Sequence, residues 1–84
     1  MKYINQNSAF VVQLSKDYMQ EFNRKNRTHL PETLVTIGFS KLSGELIRVE
    51  PRDIRSGGVA WEKVRDDALS FGMDIISGRR RSAA

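Results

Sequence analysis

Two groups of arginine bracket one helix-like segment in the last third of the chain, and they are the residues best equipped for chemistry. The first lies in RDIRSGG, from Arg52 to Gly58. A Gly-Gly pair that opens a helix beside arginines can hold an anion, because the free N–H groups of the first turn and the helix dipole both favour negative charge. The stretch lacks the Lys-Ser/Thr pair of a P-loop and the three-glycine spacing of a dinucleotide fold. Asp53 would also repel the same anion. A turn that needs backbone freedom is therefore the stronger reading of Gly57 and Gly58. The second group is Arg79, Arg80 and Arg81, which can neutralise phosphates and release counterions in a sequence-independent, salt-sensitive way. These three equally suit the negative end of the helix before them.

Catalytic chemistry has little to build on. His29 is the single histidine, and it sits in a proline-bounded loop with only Glu32 as an acid within four residues. Asp17 and Glu21 share a helix face at i and i+4, as do Glu62 and Asp66, but neither pair has a third ligand nearby in sequence. No cysteine is present, which excludes disulfides and thiolate metal sites and suggests a reducing cytoplasm. The expectation is a non-catalytic protein without a cofactor. Asn26-Arg27-Thr28 matches a glycosylation acceptor, but no signal-peptide core or membrane span accompanies it.

The chain has 84 residues and a net charge of +4. That charge is unevenly distributed. Arg79, Arg80 and Arg81 supply three of the four net positive charges, so the rest of the molecule is close to neutral at +1. The resulting expectation is a small basic accessory or regulatory protein that binds nucleic acid mainly by phosphate contacts. The contact residues would be Arg52, Arg55, Arg79, Arg80 and Arg81, with Lys25 and Arg27 at the end of an earlier helix. An inhibitor or adaptor that binds a protein in a larger complex is the alternative. For it, the off-stripe apolar residues Val12, Met19, Leu69 and Ile76 would form a contact surface or dimer seam.

These residues need elements to position them. Between residues 8 and 26, Phe10, Val11, Leu14, Tyr18 and Phe22 fall in one stripe at helical spacing, which predicts an amphipathic helix. The same residues allow a strand over AFVVQL, with Ser15 starting a shorter helix. Val35, Ile37 and Phe39 alternate, Ile47 and Val49 alternate again, and Gly44 lies in the turn between, so a two-stranded hairpin is expected, ended by Pro51. Trp61, Val64, Ala68, Phe71 and Ile75 form the apolar side of a last helix, stopped by Gly78. Tyr3 lies outside these stripes, where it packs at an edge or stacks on a base.

The sum is a single α+β domain over residues 1–78, helix-strand-strand-helix, with an antiparallel hairpin packed on two amphipathic helices and a basic, mobile tail at 79–84. An isolated hairpin is marginal in water, so a homodimer extending the sheet edge to edge is a sensible completion. If the strand at AFVVQLS is followed by a helix over KDYMQEFNRKN and a second over PETLVTIGFSKL, the layout resembles a ribbon-helix-helix repressor. In that family the paired strands of a dimer enter the major groove. Against this, the strand carries no basic residue, and Val35-Thr36-Ile37-Gly38 is a poor helix interior.

Overall fold

The computed structural model describes residues 1–79. Strands β1 (Lys2–Asn5) and β2 (Ala9–Leu14) lead into helix α1 (Lys16–Asn26). Strands β3 (Val35–Ser40) and β4 (Leu46–Glu50) follow, then a 3-10 turn (Arg52–Gly57) and helix α2 (Val59–Ile76). The strands form one antiparallel sheet in the order β1-β2-β3-β4. The protein is thus a small α+β domain, but the expected helix-strand-strand-helix order is replaced by two strands, a helix, two strands and a helix.

The difference arises at Ser15, where the expected single helix over residues 8–26 divides. Phe10, Val12 and Leu14 alternate and lie opposite Phe39, Ile37 and Val35 of β3, so tertiary pairing overrides the helical spacing of the same residues. Ser15 is extended, and its Oγ accepts a hydrogen bond from the Tyr18 N–H at 3.1 Å, which caps α1. The strand-then-helix reading is therefore correct up to Asn26. Its continuation is not, because Val35–Ser40 is a strand, and the ribbon-helix-helix layout is absent. The hairpin of β3 and β4 is present with Gly44 at a φ of 70° in its turn. β1 was not expected at all; four residues are too short to show a period.

Residues of alternate parity in each strand face the two helices. Phe10, Val12, Leu14, Val35, Ile37 and Phe39 meet Met19 and Phe22 of α1 and Trp61, Val64, Ala68 and Phe71 of α2 in one core. Fully burying a side chain of this kind is worth about 1.5–3 kcal/mol. Val12 and Met19, expected on a contact surface, have no solvent exposure and belong to the core. Tyr3 is buried too, and its ring stacks on Phe10 at 5.8 Å between centroids, so it is not free to receive a base. Phe10 stacks in turn on Phe39 at 5.2 Å. The close fit of α2 over Phe10 depends on Gly72, where a Cβ would lie 2.1 Å from the ring.

The loop from α1 to β3 is held by one buried side chain. The amide of Asn23 donates to the Leu30 carbonyl at 2.8 Å and to Glu32, while its oxygen accepts from the Leu30 N–H at 3.1 Å and the Thr28 hydroxyl. Both helices, Leu30 and Ile54 belong to the core on one side of the sheet. The opposite face has no covering element among the described residues.

Candidate nucleic-acid interface

β4 is an edge strand, and the chain leaves it through Pro51 into the 3-10 turn. The buried Ile54 anchors that turn to the core. A repeat of three residues per turn places Arg52 and Arg55 one above the other, which their sequence spacing alone does not reveal. Together with Ile47, Arg48, Val49 and Glu50 they line an open depression of about 290 Å³. The Arg48 guanidinium is tied to Glu50, its Nε donating to Oε1 at 2.6 Å. Among the described residues no ion pair engages Arg52 or Arg55, and both are exposed. The depression thus gathers three guanidinium groups against one carboxylate. Arg48 was missed in the sequence because it stands in a strand, two residues from an acid that balances it on paper.

The glycine pair has a local explanation. A Cβ on Gly57 would lie 2.4 Å from Leu30 Cδ2, and Gly58 has a φ of 62°, which side-chain-bearing residues rarely adopt. Close packing and a turn account for both positions. Asp53 lines a different depression, with His29, Leu30 and Pro31, rather than the one that holds Arg52 and Arg55.

The other expected contact residues do not line this depression. Arg79 follows the far end of α2, whose 18 residues span about 27 Å. Its Nη1 lies 3.7 Å from Asp74 Oδ1. Arg80 and Arg81 lie outside the described residues. Lys25 and Arg24 both approach Glu21, whose carboxyl is held below the usual range chiefly by the hydrogen bond from Arg24. Lys25 also borders a groove of about 310 Å³ between the helices, with Tyr18, Lys63 and Asp67. Arg27 adopts the left-handed conformation that ends α1, its N–H donating to the Asn23 carbonyl. The structure therefore unites Arg52, Arg55 and Arg48 in one depression, whereas Arg79 follows the far end of α2 and Lys25 borders a different groove.

Each carboxylate pair has one member engaged by a cation. Glu21 is occupied by its cations, and Asp66 accepts from Arg65 at 3.3 Å. Among the described residues no three of His, Asp and Glu come together where they could hold a metal. No described helix is long and apolar enough to cross a membrane. The Tyr18 hydroxyl, half-buried between the helices, has its pKa raised first by burial and then by the charge of Asp67. No family model, curated protein or solved structure matches this chain.

Proposed function

We propose that the chain is a non-catalytic, cytoplasmic accessory or regulatory protein that binds nucleic acid through its phosphates. The contact surface is the β4 edge with the 3-10 turn behind it. One observation carries this reading: Arg52 and Arg55 are stacked on one side of the turn, free of carboxylate partners among the described residues, with Arg48 in the same depression. Arginine forks of this kind suit phosphate oxygens. Of the seven aromatic residues six are buried and Tyr18 is half-buried, so stacking on bases is a poor fit and backbone contact a good one.

The test is fluorescence anisotropy with duplex and single-stranded oligonucleotides over a range of salt. Each phosphate contact contributes about −0.9 to the slope of log K against log salt on duplex DNA, so Arg52→Ala/Arg55→Ala should flatten that slope by about 2. Absence of binding at low salt, or an unchanged slope in the double variant, overturns the reading. The protein-binding alternative draws on the apolar side chains left in solvent, Leu42 at 95% exposure in the β3–β4 turn and Ile47 at 58% on β4. Capture of a protein partner in high salt that survives nuclease would favour it.

A further inference from the structure

Among the described residues, Glu50 is the one acid that lines the depression with Arg48, Arg52 and Arg55. Strand alternation puts Arg48 and Glu50 on the same side of β4, about 7 Å apart along the chain. Arg48 Nε donates to Glu50 Oε1 at 2.6 Å and Nη2 lies 2.5 Å from the same oxygen, so a whole edge of the guanidinium is spent on one carboxylate oxygen. Arginine uses such an edge to grip a phosphate with two parallel hydrogen bonds. Both residues are half-exposed, and a surface pair of this kind adds little to the stability of the fold. Its consequence is for the depression. Arg48 is neutralised there, whereas Arg52 and Arg55 have no ion pair among the described residues.

Resting on the reading of this depression as a phosphate site, we propose that Glu50 sets its affinity. The Glu50 carboxylate takes the place of a phosphate on Arg48, so that nucleic acid is gripped here by Arg52 and Arg55 alone. An arriving phosphate does not clear the carboxylate away, because Glu50 is tethered in the depression two residues from Arg48. A phosphate that took Arg48 would break the ion pair and then sit beside an unpaired like charge. Arg48 is thus a third contact that only loss of the Glu50 charge releases. What Glu50 fixes is the number of phosphates engaged, and through it the strength of binding and its dependence on salt.

Fluorescence anisotropy of the full chain with a duplex DNA oligonucleotide over a range of salt tests this with Glu50→Gln, Arg48→Ala/Glu50→Gln and Asp53→Asn. All three positions are exposed, and circular dichroism confirms that each variant is folded. Glu50→Gln should steepen the slope of log K against log salt by about 0.9, one phosphate contact, and tighten binding several-fold at about 0.1 M salt. Adding Arg48→Ala should abolish both gains, because the released guanidinium is what supplies them. Asp53→Asn raises the net charge by the same amount at a residue that lines a different depression, and should not steepen the slope. A Glu50→Gln slope equal to that of the wild type overturns the proposal. So does a gain that survives Arg48→Ala, or one that Asp53→Asn matches. The phosphate reading is judged separately, on Arg52 and Arg55. If the wild type does not bind, or Arg52→Ala/Arg55→Ala leaves its slope unchanged, both fall; if those two arginines carry the slope and Glu50→Gln adds nothing, only the role of Glu50 falls.

Discussion

Replacing Gly72 by alanine should destabilise the protein, although the same change in most helix interiors does the opposite. Gly72 lies within α2, where alanine is favoured over glycine by about 1 kcal/mol. Here the new methyl group would start 2.1 Å from Phe10 Cε2 and 2.6 Å from Cδ2, whereas ordinary contact begins at 3.4 Å. Ring or helix must therefore move by 1.3 Å, the difference between those distances. The ring cannot simply swing aside, since Phe10 has no exposed surface and is stacked on Tyr3 and Phe39. Overpacking a core of this sort costs about 1–3 kcal/mol, and the confinement of the ring argues for the upper end. After the gain in helix propensity, Gly72→Ala should lose about 2 kcal/mol. In a domain of this size that lowers the melting midpoint by roughly 10 °C.

Urea denaturation followed by circular dichroism gives the free energy, and a cycle with Phe10→Leu isolates the contact. With the smaller side chain at position 10, alanine at 72 should become neutral or stabilising, which corresponds to a coupling of about 2 kcal/mol. If Gly72→Ala alone raises stability, α2 does not pack on Phe10 as described. The reasoning about the core then fails with it.

Two further outcomes follow from the buried Asn23 and the half-buried Tyr18. Asn23→Ala should cost about 2 kcal/mol or more, because it leaves the Leu30 N–H and carbonyl without partners in a buried loop; amide hydrogen exchange should show residues 28–32 losing protection first. Tyr18 should ionise above free tyrosine in an ultraviolet pH titration, and Asp67→Asn should bring its midpoint only part of the way down, since burial is the larger cause. The fold favours the protonated phenol, so this stabilisation is complete below about pH 10 and is lost as pH rises through the folded-state value. A midpoint at the free value, or one unmoved by Asp67→Asn, would refute the placement of Tyr18 beside Asp67.

The amino-acid sequence by itself determined the elements whose pattern fits only one period. Val59–Ile76 has apolar residues at helical spacing and Gly78 to stop it, and the β-branched alternation from Val35 to Val49 with Gly44 between can be little but a hairpin. Those elements likewise set the small α+β class, and the absence of cysteine removed thiolate chemistry. Tertiary structure decided the rest. Phe10, Val11 and Leu14 suit a helix or a strand, and the choice was made by Phe39, Ile37 and Val35, which lie more than twenty residues away and offer a paired edge. β1 exists because β2 presents the other edge. The arginines show the same division: the sequence counts charges, but whether guanidinium groups converge depends on which elements carry them. A 3-10 turn stacks Arg52 on Arg55, a strand brings Arg48 beside them, and the length of α2 carries Arg79 away. Local spacing encodes periodicity, whereas convergence is a property of contacts between residues distant along the chain.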